Sequence, residues 1–113
     1  MTTINGVNFD DVADDAVKAA QTVIADNWDQ ARDIIENIAK GLTNDVSFIA
    51  KKKLSGEYNE ADARIYLEDQ KMLARVRLRS IAIITLQIAE RIWNAIAEVF
   101  RTAIKKALDW TLL

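Results

Sequence analysis

The sequence predicts an all-α fold: an antiparallel helical hairpin or bundle with one very long C-terminal helix, completed by oligomerisation. Apolar residues recur every three to four positions along most of the 113-residue chain, which is the period of an amphipathic helix. The chain contains no proline, and the stretch from Asn59 to Leu113 contains no glycine either. No residue of that stretch therefore forces a helix to end.

The domain organisation follows from length and pattern. The length fits one small domain, and 50% hydrophobic residues with 28% charged residues are typical of a folded chain. Residues 1–8 lack a helical pattern. We therefore expect a flexible N-terminal arm at residues 1–8 and a single helical domain at residues 9–113.

The first helix is expected at about residues 9–40. Asn8 or Asp10 is suited to cap it, because a short polar side chain can accept the unpaired backbone N–H groups of a first turn. Poor helix formers surround Trp28, which allows a bend there. Gly41 stands where a C-terminal glycine commonly ends a helix.

The rest of the chain predicts a short helix and a much longer one. The short helix is expected at about residues 45–54. Asn59 is expected to cap a third helix at residues 59–111, with Asp62 completing a variant of the capping box. Charge lies on several sides of this helix before Arg79 and on fewer sides after it, so a bend near Arg79 is left open.

The C-terminal part of the predicted third helix is apolar over most of its circumference. On a helical wheel its polar residues occupy roughly 120°, which leaves about 240° for apolar side chains. A surface helix needs an apolar stripe only a little over about 100° wide. We expect the excess to be covered by a second copy of the chain. The residues expected at this interface are Ile81, Ile84, Ile88, Ile92, Trp93, Ile96, Val99, Phe100, Ile104 and Leu108.

Charge is distributed unevenly along the chain. Residues 1–50 carry nine acidic and three basic side chains, whereas residues 51–113 carry eight acidic and twelve basic ones. Either the two halves pack as complementary faces, or a basic surface binds an anionic partner. The basic residues expected to form a polar docking region are Arg64, Arg75, Arg77 and Arg79.

The residue types present exclude several chemistries. The chain contains no cysteine and no histidine, so it lacks disulfides, thiolate ligands and the usual general base. We expect no enzymatic activity, no cofactor and no metal site. A ferritin-like metal site made of carboxylates alone remains an alternative, and its candidate ligands are Glu36, Glu60, Glu68 and Glu98.

Membranes and nucleic acids are considered as partners. Polar residues interrupt the apolar stretch from Ile81 to Phe100, so we expect no transmembrane span. The N-terminal sequence lacks the pattern of a signal peptide, and a cytoplasmic location is expected. Nucleic-acid binding is not expected, because total charge is −2 and aromatic residues do not interleave with the basic ones.

These patterns favour a non-enzymatic, homo-oligomeric structural or interaction protein, such as a scaffold, an adaptor or an assembly factor. Another protein is a further possible partner. The first alternative is a peripheral membrane or hydrophobic-surface binder. It would use the aromatic residues of the C-terminal helix, Trp93, Phe100 and Trp110.

Overall fold

Four helices in an up-down-up-down arrangement follow a small β-hairpin. The structure is a computed structural model that describes residues 2–113. Its elements are β1 Thr3–Ile4, β2 Val7–Asn8, α1 Phe9–Ile24, α2 Trp28–Leu54, α3 Glu60–Arg79 and α4 Leu86–Leu108. Helix α1 packs against α2 and α4, and α3 packs against the same two helices from the opposite side. The all-α prediction is confirmed, but the very long C-terminal helix is not.

The segment expected to be a flexible arm contains the hairpin. Ile4 pairs with Val7 across the Asn5-Gly6 turn, where both turn residues have positive φ. Asn-Gly is the pair that a two-residue hairpin favours, because both residues tolerate that backbone region. The Asn5 amide also donates a hydrogen bond to the Ala107 carbonyl at 2.5 Å. The hairpin is therefore tied to the end of α4.

The break between the first two helices falls earlier than expected. Helix α1 begins at an Asn8 cap, whose side chain accepts a hydrogen bond from the Asp10 amide at 2.9 Å. It ends at Ile24, and a single 3-10 turn spans Ala25–Asn27. The predicted end at Gly41 is wrong, because α2 continues through it. One glycine costs a helix only about 1 kcal/mol, which the packing of α2 offsets.

The start of the third helix is as predicted. The Asn59 side chain accepts from the Asp62 amide at 2.9 Å, and the Asp62 side chain accepts from the Asn59 amide at 3.0 Å. This reciprocal pair is the capping box. Gly56, with φ at 76°, lies in the turn that reverses the chain between α2 and α3.

The predicted helix at residues 59–111 is two antiparallel helices. Helix α3 ends at Arg79, and the connection at residues 80–85 is rich in β-branched residues, which are weak helix formers. The Thr85 hydroxyl caps α4 by accepting from the Ile88 amide at 3.2 Å. An unbroken helix of that length would extend roughly 75 Å. The molecule extends only 43 Å along its longest axis, so the fold-back keeps the apolar residues of α4 covered.

The core lies between all four helices and is densest where α1 meets α4. Phe9 and Phe100 stack there with ring centroids 6.4 Å apart, and neither ring is exposed. Ile35 of α2 and Leu67 of α3 join the same cluster of buried residues. One chain therefore surrounds the apolar side chains of α4 from three directions.

Candidate docking face on the third helix

The apolar residues expected between copies lie inside the fold of one chain. Helix α4 presents its wide apolar side to α1, α2 and α3, and the C-terminal segment adds the buried side chain of Leu112. Three of the ten residues, Ile81, Ile88 and Val99, are partly buried. The buried ones are Ile84, Ile92, Trp93, Ile96, Phe100, Ile104 and Leu108. This corrects our expectation, because the seven buried side chains are not available to a second folded copy.

The four arginines of the expected polar docking region do not share one surface. Arg64 donates to the Thr111 carbonyl at 3.1 Å, and Arg77 donates to the Asn37 side chain at 3.2 Å. Arg75 forms an ion pair with Glu90 of α4. The fourth is exposed Arg79. Three of these side chains therefore tie α3 to its neighbours.

Helix α3 carries a second apolar side that faces solvent. Ile65, Met72 and Val76 are 65%, 61% and 69% exposed, and their spacing places them within about 40° of one another on the helix. Leu73 is 49% exposed beside them. We call these four residues the docking face. Single exposed apolar residues are ordinary on a protein surface, whereas a contiguous row on one helix is typical of a contact site.

The opposite side of α3 shows why the exposed row is not a packing requirement. Its buried residues are Ala63, Leu67, Ala74 and Leu78, which lie about 180° from the docking face. These four already attach α3 to the bundle. The exposed row therefore adds apolar area that the fold of a single chain does not cover.

Three aromatic rings adjoin the docking face. Phe48 of α2 lies 5.1 Å from Tyr66 and 5.9 Å from Tyr58, measured between ring centroids. The Tyr66 hydroxyl donates to the Asp45 carboxylate at 3.1 Å. Ile65 joins the rings to the docking face, because it lines the same open depression of about 290 Å³ as Tyr58 and Tyr66. Tyrosine rings, which carry one polar hydroxyl, are suited to a surface that is exposed in one state and covered in another.

Asp45 is a titratable group beside these aromatic rings, and its pKa is shifted. Partial burial raises the pKa of its carboxyl group, and the hydrogen bond from Tyr66 opposes that rise. The same neighbourhood raises the pKa of the Tyr66 hydroxyl, through burial first and the nearby carboxylate second. The pair fixes the position of the Tyr66 ring at the α2–α3 boundary.

The charges of α3 divide along its length. Its N-terminal half carries Glu60, Asp62, Glu68 and Asp69 against one base, Arg64. Its C-terminal half carries Lys71, Arg75, Arg77 and Arg79 and no acid. Charges of these signs at the two ends suit the helix dipole. Glu68, Asp69, Lys71 and Arg75 lie near the middle of the helix, however, where the dipole contributes little. Of these four, Arg75 is already paired with Glu90 of α4.

Another part of the surface forms a cleft, and the acidic residues are the candidate metal ligands. A cleft of about 580 Å³ between α1 and α2 is open and lined by charges of both signs, among them Asp14, Lys18, Glu36 and Lys40. Within residues 2–113, no three acidic side chains converge in a way that could hold a metal ion. Glu36 is instead paired with Arg32 at 2.9 Å and Glu60 with Arg64 at 2.6 Å.

Comparison with known proteins adds no assignment. No family model, curated protein or solved structure matches this chain. In the part of the chain that the structure describes, no helix combines the length and the apolar character needed to cross a membrane.

The docking face was missed by sequence reasoning, although its signal is present. Residues 65, 72 and 76 are seven and four positions apart, which is a helical spacing. Charged residues separate these positions in the sequence, so the row is less evident than the broader apolar side of α4. The sequence therefore predicts an interface on α4 and not on α3.

Proposed function

We propose that this chain is a non-enzymatic, homo-oligomeric interaction protein that acts as a scaffold, an adaptor or an assembly factor, with the docking face of α3 as its contact surface. The single observation that carries the proposal is the exposed row Ile65, Met72 and Val76 on a helix already attached to the bundle by its other side. The adjoining aromatic rings extend that surface.

The occupant that we propose is a second copy of the same chain. One α3 offers an acidic half and a basic half, so the same helix in a second copy supplies the complementary charges. An anionic membrane would attract only the basic half and would repel Glu60, Asp62, Glu68 and Asp69. Charge complementarity therefore favours a copy of the chain over a lipid surface.

The apolar area supports an association of moderate strength. Covering the exposed parts of Ile65, Met72 and Val76 in both copies contributes roughly 6–12 kcal/mol, at about 1–2 kcal/mol for each side chain. Association itself costs on the order of 4–15 kcal/mol. The two terms nearly balance, so we expect a dimer that dissociates on dilution rather than a permanent one.

The test is the mass in solution by light scattering behind a sizing column, over a wide range of concentrations. The wild-type chain should shift from monomer to dimer, and the variant Ile65→Ser/Met72→Ser/Val76→Ser should remain monomeric. The matched control is Leu54→Ser/Ile83→Ser/Leu86→Ser, which removes three exposed apolar side chains that lie outside α3. A control that loses the dimer equally would place the contact elsewhere, and a wild-type monomer at every concentration would contradict the proposal.

Binding to lipid is the alternative outcome of the same design. The aromatic residues first expected to enter a lipid interface are not exposed, because Trp93 and Phe100 are buried and Trp110 is partly buried. If the wild-type chain sediments with anionic vesicles and the α3 variant does not, the docking face serves a membrane surface instead.

A further inference from the structure

We propose that two copies pair through α3 in an antiparallel arrangement, with a two-fold axis that passes close to Met72. This inference rests on the proposed self-association and adds its geometry. It states which half of α3 in the other copy lies beside each half of this helix.

The charge pattern selects the direction of pairing. In an antiparallel pair, the acidic half of one α3 lies along the basic half of the other, so the two ends of the contact have opposite charge. In a parallel pair, Glu68 of one copy would lie beside Asp69 of the other, because the two residues are at nearly the same level on opposite flanks of the exposed row. Like charges at that distance are destabilising.

The apolar row selects the register. When Ile65 of one copy lies opposite Val76 of the other, the two contacts are equivalent by symmetry and Met72 lies within about 5 Å of its own copy along the axis. The same register places Glu68 within about 3 Å, along the axis, of the level of Arg75 in the other copy. Glu68 and Arg75 also lie on the same flank of the exposed row, about 20° apart on the helix. Arg75 keeps its ion pair with Glu90 of its own chain, so Glu68 of the other copy would be a second acidic neighbour of that guanidinium.

The docking face can be approached by another helix. Arg64, Arg75 and Arg77 are held against the C-terminal segment, α4 and α2 respectively. They therefore do not cover Ile65, Met72 and Val76, which keep more than half of their surface exposed. The aromatic rings of Phe48 and Tyr66 border the row on the α2 side, where they would shield its edge from water.

Disulfide formation between single cysteines tests this geometry, because the chain has no cysteine of its own. Three positions are informative: Ala61→Cys, Met72→Cys and Arg79→Cys, all at exposed sites. In the proposed pair, residue 61 lies opposite residue 79 of the other copy. Along the axis, residue 61 is about 28 Å from residue 61 of the other copy, and residue 79 is about 26 Å from residue 79 of the other copy. Residue 72 lies next to itself.

The expected result under mild oxidation is specific. Met72→Cys should form a covalent dimer alone, and Ala61→Cys and Arg79→Cys should each remain monomeric alone but form a covalent dimer when mixed. Covalent dimers of Ala61→Cys alone and Arg79→Cys alone would show a parallel pair and overturn this inference, while the proposed self-association would stand. A dimer by mass with no disulfide at any position would overturn this inference and the docking face together, because it would exclude α3 from the contact.

The failure of the proposed function gives a different result. In that case the wild-type chain would be monomeric by mass at every concentration, and no combination of the three cysteines would form a disulfide above the level of Asn44→Cys. Asn44 is an exposed residue of α2 outside the docking face and serves as the background control.

Discussion

Helices α3 and α4 differ in how their apolar surface is used. Helix α4 is apolar over most of its circumference, yet most of its large apolar side chains are buried by the same chain, and only Leu86 at its start is exposed. Helix α3 has a lower overall hydrophobicity and many charges, yet it leaves Ile65, Met72 and Val76 exposed. The width of an apolar side on a helical wheel therefore does not identify a contact between chains. What matters is how many other elements surround the helix.

The largest difference between the two helices should appear when a charge is introduced. Ile96→Asp on α4 places an unpaired carboxylate where the side chain is completely buried, and we expect it to cost more than about 4 kcal/mol of unfolding free energy. Val76→Asp on α3 should change the unfolding free energy of the monomer by less than about 1 kcal/mol. Urea unfolding followed by circular dichroism measures both. Equal losses of unfolding free energy would mean that Ile96 of α4 and Val76 of α3 are buried to the same extent.

Charge reversal on α3 sharpens the comparison at the level of association. Glu68→Lys should raise the dimer dissociation constant about tenfold, because it sets two like charges side by side in each of two equivalent contacts. Glu98→Lys on α4 is the matched control, since Glu98 is exposed but outside the docking face. Sedimentation equilibrium gives both constants. An equal effect of the two reversals would show that only net charge matters.

The boundary between the two helices depends on a cap. Thr85→Ala removes the hydroxyl that accepts from the Ile88 amide, and we expect it to cost about 1 kcal/mol of unfolding free energy. Thr85→Ser keeps the acceptor and should restore most of that loss. Chemical denaturation of both variants provides the measurement. A stable Thr85→Ala variant would indicate that packing of Ile84, not the cap, determines where α4 begins.

Substitution of Gly41 should have a smaller effect, and it should raise the unfolding free energy. It lies inside α2, and a methyl group built on it meets no atom within 4 Å outside its chain neighbours and the adjacent turns of its own helix backbone. Gly41→Ala should therefore stabilise the chain by about 0.5–1 kcal/mol, because alanine loses less backbone entropy than glycine in a helix. A thermal melt detects this change. A lower melting temperature would show that the space beside Gly41 is used by a neighbouring side chain.

The smallest effect concerns pH. Partial burial raises the pKa of Asp45 in the folded chain, so its contribution favours the fold at low pH and is lost as pH rises through the folded pKa. In Asp45→Asn this contribution is absent. The unfolding free energy of the variant relative to the wild type should therefore rise between pH 3 and pH 7. A difference that stays constant with pH would contradict the assigned cause.

Part of the fold can be predicted from local sequence. The helical period, the Asn8 cap and the Asn59–Asp62 capping box each depend on residues a few positions apart, so the sequence reveals them. The break near Arg79 is not predictable from local sequence, because no glycine or proline marks it. The break depends on the tertiary structure, because α4 must fold back against α1 to cover its apolar side. Residues close together in the sequence do not indicate this.

The candidate site was harder to predict for the same reason. Whether Ile65 or Ile96 is exposed depends on which helices flank it, and the two residues look alike in the sequence. The chemical exclusions drawn from the absence of histidine and cysteine depend on composition alone. The exposure of a side chain depends on how the helices pack, so it follows from the structure and not from the sequence.

The central claim is that the apolar side of α4 is satisfied within one chain. Equilibrium unfolding of the monomeric Ile65→Ser/Met72→Ser/Val76→Ser variant, followed by both circular dichroism and tryptophan fluorescence, tests it most directly. The account predicts one cooperative transition in both signals, independent of protein concentration, because Trp93 is 2% exposed in a single folded chain. A solvent-exposed Trp93 before unfolding, or a midpoint that rises with protein concentration, would contradict it.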